Sequence, residues 1–428
     1  MHILLISQWF EPEPTFKGLV FAKSLKRAGH EVEVITGFPN YPGGKLYPNY
    51  KIKWLQKEII DEVRVNRVPL YPSHDSSAIR RVLNYVSFAA SACLYGIFGV
   101  RKPDVIYVYN PPMSVAFAAA VVSLIRRTPF VVDICDLWPD SLEASGMIRS
   151  KRVLGWAGKV CQWIYRRASR IAVVTPGFRQ KLIERGVPSA KIEIVFNWCD
   201  EHALRLPTHV NRNEYGMGER FNVVYAGNMG KAQALDAVIR AANRVQLIDP
   251  RIQFVFVGDG IELENLKVLA RELQVGNLRF LPRMPVTEVG KVLAAADVLL
   301  VHLKDETLFE ITIPAKTQAY MAAGKPILMA VKGDAARLIE RSGAGLCALP
   351  GNEESIADAV LRMAGLPSAT LDEMGKRGSE FYAHNLSMAV GVEKFLTLFN
   401  TVVARRFLPS VGSSTDLDPP NHDSGGVS

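Results

Sequence analysis

The chain has 428 residues, 48% of them hydrophobic, with 51 lysines and arginines against 42 acidic residues and a net charge of +9. That length fits two or three domains with sizeable cores. The charge excess is mild and dispersed, which suits an anionic small ligand or a membrane surface and argues against a nucleic-acid binder, whose cations concentrate in one stripe. The five cysteines, Cys93, Cys135, Cys161, Cys199 and Cys347, are far apart and form no CxxC pair. A disulfide framework or zinc site is therefore not expected, and a reducing cytosol fits.

The opening MHILLISQWF has no basic n-region or cleavage pattern and reads as a core strand, His2–Ser7. A helix is expected over Thr15–Gly29 and a strand over Glu31–Thr36. After the loop FPNYPGGKLYPNY, apolar runs predict strands at Val63–Pro69, Val105–Tyr109, Phe130–Ile134, Ile171–Thr175 and Ile192–Phe196. The polar stretch Asp200–Glu219 reads as a linker. The pattern then restarts, with strands at Phe221–Ala226, Ile252–Val257, Leu278–Leu281, Val298–Val301 and Ile327–Val331. Buried strands alternating with amphipathic helices imply parallel sheets covered on both faces. The predicted fold class is α/β, two doubly wound Rossmann-like domains at 1–200 and 201–385. A C-terminal helix over 386–408, apolar at helical spacing across Met388–Phe407, is expected to return toward the first domain. The residues 409–428, rich in Ser, Gly, Asp and Pro, are expected to be disordered.

The stretch Val82–Val100 carries no charge and lies between Arg80-Arg81 and Arg101-Lys102. A bilayer span needs about 20 apolar residues. A crossing is disfavoured because both flanks are basic and because it would part strands of one sheet. A buried domain helix and a helix lying on a membrane surface both remain open. In the second reading the apolar side enters the interface while Arg and Lys meet anionic headgroups.

The segment Phe309–Leu328 reads as loop, helix, stop and strand. Pro314 suits a helix start, Gly324 a left-handed end, and Pro326 prevents continuation. Unpaired N–H groups at such a start, with Lys316 in the first turn and Glu310 just before it, suggest a pocket for a nucleotide diphosphate. Alone this is also what ordinary scaffold looks like. No GxGxxG fingerprint and no strand-ending Asp-x-Asp is present, so neither a nicotinamide cofactor nor a metal site is expected.

Several phrases, in order, resemble the family 4 glycosyltransferases of the GT-B fold, in which two such domains face a cleft. They are GHEVEVIT at Gly29–Thr36, PNYPGG at Pro39–Gly44, DLWPDS at Asp136–Ser141, VTPGFRQKLIERGVP, VFNWCD, YAGNMGKAQALDAVIRAA, FVGDG at Phe256–Gly260 and the IPAK…AYMAAGKP helix. The nearest branch is that of bacterial O-antigen, capsule and colanic-acid transferases, the WbuB-like enzymes. The chain departs from the family twice. The paired carboxylates that grip the nucleotide ribose fall on Ile311 and Ala319, and the cationic pair at the diphosphate falls on Asn228 and Gln233, leaving Lys231 as the nearby cation.

The resemblance implies a metal-independent, retaining transferase. It would move a sugar, an N-acetylated deoxyhexosamine such as N-acetylfucosamine, from UDP to a lipid-linked saccharide at the inner face of the cytoplasmic membrane. The nucleotide sugar would be a substrate, with no cofactor. Lys231 and Lys316 would stabilise the leaving diphosphate, with Gly227, Asn228, Gly230 and Gly258 around it and Gly18 closing from the first domain. Glu310 would meet donor-sugar hydroxyls. Asp136, at the carboxyl edge of a strand, would orient the acceptor hydroxyl, with Trp138 stacking beside it; a helix-capping aspartate also fits. Asp133, within the strand, reads as structural, and His302 closes a strand at the cleft, where a lone histidine is more often structural. Two other functions stay open: a sugar-nucleotide epimerase of the same fold, and a non-catalytic subunit of a polysaccharide assembly complex.

Overall fold

The computed structural model describes residues 1–407 apart from 74–76, 145–147, 149, 202–203, 205–206 and 208. The expected disordered tail therefore lies outside the described residues, as does part of the expected linker.

In the first domain the elements are β1 (His2–Ile6), α1 (Leu19–Arg27), β2 (Glu31–Gly37), β3 (Gln56–Ile60), β4 (Val63–Val68), α2 (Ala78–Phe98), β5 (Val105–Asn110), α3 (Met113–Arg126), β6 (Phe130–Ile134), α4 (Asp140–Ala144), α5 (Lys151–Arg167), β7 (Arg170–Val173), α6 (Pro176–Glu184) and β8 (Ile192–Ile194). The sheet order is β3-β4-β2-β1-β5-β6-β7-β8. Its strands run parallel except β3, which is antiparallel to β4. β1, β5 and β6 are buried along their whole length, which is why they read as unbroken apolar runs. β3, the sequence QKEII, sits exposed at the edge and has no such run. It was not foreseen for that reason.

The second domain repeats the plan with β9 (Phe221–Ala226), α7 (Leu235–Ile248), β10 (Ile252–Val257), α8 (Leu263–Glu272), β11 (Leu278–Leu281), α9 (Val286–Ala295), β12 (Val298–His302), α10 (Thr307–Glu310), α11 (Ala315–Ala322), β13 (Ile327–Ala330), α12 (Asp334–Ser342), β14 (Gly345–Cys347) and α13 (Glu353–Ala364). Its parallel sheet runs β11-β10-β9-β12-β13-β14. The order reverses between β1 and β5 in one sheet and between β9 and β12 in the other. Ligands of open α/β sheets bind in the crevice at the carboxyl ends beside such points. The expected architecture of two doubly wound domains is thus the one observed.

Two helices finish the described chain, α14 (Ser368–Asn385) and α15 (Met388–Phe407). α15 packs on the first domain, with Phe395 5.3 Å from Phe21 and 5.2 Å from Tyr107 between ring centroids. The run Ser368–Ala404 has the length and hydropathy of a bilayer span. It is instead these two domain-packed helices, broken at Leu386 and Ser387.

α2 is a domain helix. Asn84, Phe88 and Ala92 are buried against the sheet and α3, while Val86, Leu94 and Phe98 on its other side are exposed. Because β4 before it and β5 after it belong to one sheet, it does not cross a membrane.

Candidate functional site

The carboxyl edge of the second sheet holds a cavity of about 570 Å³. The loops after β9 and β10, the turn after β11, the start of α11 and Cys199-Asp200 from the interdomain connection enclose it. The two loops cross closely. A Cβ on Gly258 would lie 2.0 Å from the Gly227 carbonyl oxygen, so only glycine fits there. Both residues also have positive φ, 148° for Gly227 and 141° for Gly258.

Lys316 enters this cavity from the first turn of α11, with Pro314 as the cap before it. Its Nζ is buried and makes no hydrogen bond among the described residues. It lies 3.5 Å from the centroid of the Tyr225 ring, whose negative face is its principal electrostatic support. A Cβ on Gly227 would lie 3.1 Å from it. Burial without a carboxylate pushes the Lys316 ammonium down from its ordinary range to about 7. Tyr225 is fixed by a 2.5 Å bond from its hydroxyl to the Asn228 carbonyl. Tyr320 spans the same corner, accepting the Ala226 N–H at 2.8 Å. The ammonium is held in place by rigid neighbours, with no anionic hydrogen-bond partner among the described residues.

The other expected residues are distributed more widely. Asn228, Gly227, Gly258 and Asp259 line the cavity with Lys316. Ala319 lines it too and offers no carboxylate. Gly230 lies on the following turn, its N–H held by Gln233 Oε1 at 3.0 Å. Lys231 is exposed on that turn and is not among the cavity residues. Glu310 is exposed at the end of α10, which touches α4 of the first domain across the cleft. Arg283, exposed in the turn after β11, lines the cavity and was missed. Its position just beyond a predicted strand, at a carboxyl edge, was the available signal.

On the first domain the edge is occupied by the chain itself. Gly18 caps α1, but the Glu11 carboxylate accepts the Leu19 N–H there at 2.8 Å. The anion position that a phosphate would use beside Gly18 is thus already filled. This is also why α1 starts at Leu19 and not at Thr15. Asp136 accepts from the Trp138 indole at 3.1 Å and from the Ser141 hydroxyl. Among the described residues no backbone N–H donates to it, so it anchors Trp138 and does not cap α4. Trp138 in turn lies 6.5 Å from Tyr85 of α2. Asp133 is fully buried between Lys17 at 2.6 Å and the Tyr107 hydroxyl at 2.7 Å. His302 is fully bonded as a neutral imidazole, Nδ1–H to the Gln233 carbonyl at 2.7 Å and Nε2 from the Gly351 N–H at 3.0 Å. Burial lowers its pKa further. Both residues are structural. No cluster of three metal-ligating side chains occurs among the described residues.

Comparison with known proteins gives this arrangement a context. Residues 19–198 match the glycosyl transferase 4-like domain, and residues 220–365 match the glycosyl transferases group 1 domain. The putative colanic acid biosynthesis glycosyl transferase WcaI of Escherichia coli K12 is 26% identical over 387 residues, covering 86% of this chain and 93% of its own. The probable glycosyltransferase WbjE of Pseudomonas aeruginosa is 25% identical over 303 residues, covering 69% and 74%. Among solved structures, Anabaena HepE in complex with UDP and glucose superposes with a TM-score of 0.69 at 16% identity, covering 93% of this chain and 99% of that one. At that identity the likeness concerns the fold. The chain belongs to the family 4 glycosyltransferases, a 4-like domain and a group 1 domain joined in the GT-B architecture.

Proposed function

We propose that this glycosyltransferase binds a nucleoside diphosphate sugar, with UDP as the nucleotide, in the cavity of the second domain. The carrying observation is the buried, unpartnered Lys316 ammonium aimed into that cavity. A diphosphate supplies the missing anion, and the same cation then stabilises the charge that develops as the C1–O bond breaks. Arg283 at the rim and the N–H groups of the glycine loops add to it, and Lys231 approaches from outside. Cationic side chains thus supply the stabilisation without a metal. HepE, whose structure contains UDP, supports the choice of base.

The acceptor is a lipid-linked saccharide of bacterial surface polysaccharide assembly, O-antigen or capsule, and the sugar moved is an N-acetylated deoxyhexosamine such as N-acetylfucosamine. The relation to WcaI supports the pathway class. Transfer retains configuration: the acceptor hydroxyl attacks on the face the diphosphate leaves, and the departing phosphate takes its proton. Glu310 meets donor-sugar hydroxyls. Asp136 orients the acceptor through Trp138, whose ring offers a sugar-stacking face.

The enzyme works on the inner surface of the cytoplasmic membrane. α2, α3 and α5 lie side by side on one face of the first domain. They expose Val86, Leu94, Phe98, Phe117, Leu124 and Trp156. Their sequences include Arg81, Lys151, Arg152, Lys159 and Arg167 but no aspartate or glutamate. An apolar face with a wholly cationic complement suits an anionic bilayer. Val86→Asp is expected to release the protein from vesicles containing anionic lipid with its melting temperature unchanged; undiminished vesicle binding would refute the docking face.

The donor reading is tested by thermal shift against a panel of nucleoside diphosphates. Saturating UDP should raise the melting temperature, by about 2.7 kcal/mol of stabilisation at 100 times its Kd, and more than GDP or ADP. No shift with any of them would overturn the proposal.

A further inference from the structure

The two domains also touch at a point away from the cavity. Thr175 caps α6, accepting the Phe178 N–H at 3.1 Å. The same hydroxyl donates to the carbonyl of Ile311 in the second domain at 2.7 Å. One residue into the helix, the Gly177 N–H donates to Asp334 Oδ2 at 2.6 Å. Asp334 opens α12 of the second domain and is only 3% exposed. Its other oxygen accepts from Arg337 at 2.7 Å. A carboxylate of one domain therefore sits on the positive end of a helix of the other, a favourable placement for its charge.

The smallness of residue 177 is required from outside its own domain. A Cβ there would lie 2.5 Å from both Cβ and Cγ2 of Ile311 and 2.8 Å from Asp334 Oδ2. These three nearest atoms all belong to the second domain. Within α6 itself alanine would be the better helix former, by about 1 kcal/mol. Behind Ile311, Gly333 passes so close that a Cβ on it would lie 1.8 Å from the Glu310 carbonyl oxygen. The Glu310-Ile311 turn is thus clamped between Thr175 and Gly177 of one domain and Gly333-Asp334 of the other.

We propose that Thr175, Gly177 and Asp334 form a closure latch that sets the Glu310-Ile311 turn at the cleft. Gly177 is then a positioning residue for Glu310 and makes no contact with substrate. When the domains part, both bonds to the first domain are lost and the turn is held from one side only. This rests on the reading of Glu310 as a donor-sugar contact, but the latch itself is a statement about domain geometry.

The test is Gly177→Ala in the full-length chain, followed by solution X-ray scattering and by UDP titration calorimetry. The variant should keep wild-type secondary structure by circular dichroism, since alanine suits the helix. It should show a larger radius of gyration than wild type, with and without UDP. Its Kd for UDP should stay within about twofold, because the cavity lies in the second domain, while kcat falls about tenfold or more through misplacement of the turn. Asp334→Ala should open the molecule in the same sense, and Asp334→Asn, which keeps an acceptor oxygen, should restore part of the compactness. Wild-type scattering and wild-type kcat in Gly177→Ala would overturn the latch. So would an opened molecule with undiminished kcat. If wild type bound no UDP, the donor reading would fall, and the scattering comparison would still decide the latch.

Discussion

The two sheet edges that face the cleft are built alike and finished differently. On the first domain, polar groups of the edge loops are largely consumed by the chain. Glu11 holds the start of α1. Glu13 accepts the N–H groups of Asn40 at 2.8 Å, Tyr41 at 2.7 Å and Phe10 at 3.3 Å, although burial pushes its carboxyl up to about 7. Lys17 is fully buried but paired with Asp133, which overrides the effect of burial and raises its pKa. On the second domain, the corresponding buried lysine, Lys316, has no hydrogen-bonded anion among the described residues. An unpaired buried charge persists in a fold only where something offsets its desolvation. The comparison separates a scaffold edge from a ligand edge. Under the proposed function the diphosphate goes to the second domain, and the first positions the acceptor.

The largest effect should come from breaking the scaffold pair. Lys17→Met leaves Asp133 buried without its cation and should cost about 3–5 kcal/mol of stability, read by chemical denaturation. UDP affinity, measured where the variant is still folded, should be unchanged within about twofold. A parallel loss of UDP affinity would show that the first domain's edge also holds the donor, and the contrast would fail.

The opposite pattern is expected at the ligand edge. Lys316→Met should weaken UDP binding on the order of 100-fold, since a buried cation meeting a phosphate is among the stronger contacts. It should at the same time stabilise the free protein by about 1 kcal/mol, because a desolvated charge is removed. The pH dependence sharpens this. With the native pKa lowered to about 7 and the unfolded one near the ordinary 10.5, the unfolded chain holds a proton that the native chain has released across that window. Wild-type stability should therefore rise with pH between those values, and Lys316→Met should lose that rise.

Much of the fold was legible because parallel strands buried on both faces announce themselves as apolar runs: Phe130–Ile134, Phe221–Ala226 and Ile252–Val257 form strands with those same bounds. The edge strands β3 and β14 were not, since one is polar and the other is three residues long. Lys316 could be singled out from local signals alone, a proline start and a left-handed glycine stop at Gly324, φ 64°. What it faces could not. Glu11's hold on α1 and the contact of Gly177 with Asp334, 157 positions away, are side-chain to backbone bonds with no periodicity to betray them. Val82–Val100 stayed ambiguous for another reason. Absence of charge does not separate a buried face from an exposed one, and α2 has both.

The central claim is that the bare ammonium of Lys316 receives the diphosphate. Calorimetric titration of UDP at pH 8, in two buffers of different ionisation enthalpy, tests it most directly. With a free-state pKa of about 7, Lys316 is mostly neutral at that pH and must take up a proton to meet the anion. The account predicts uptake of close to one proton per UDP bound, vanishing at pH 6 and absent in Lys316→Met. UDP binding with no proton uptake at pH 8, or equal affinity in wild type and Lys316→Met, would contradict it.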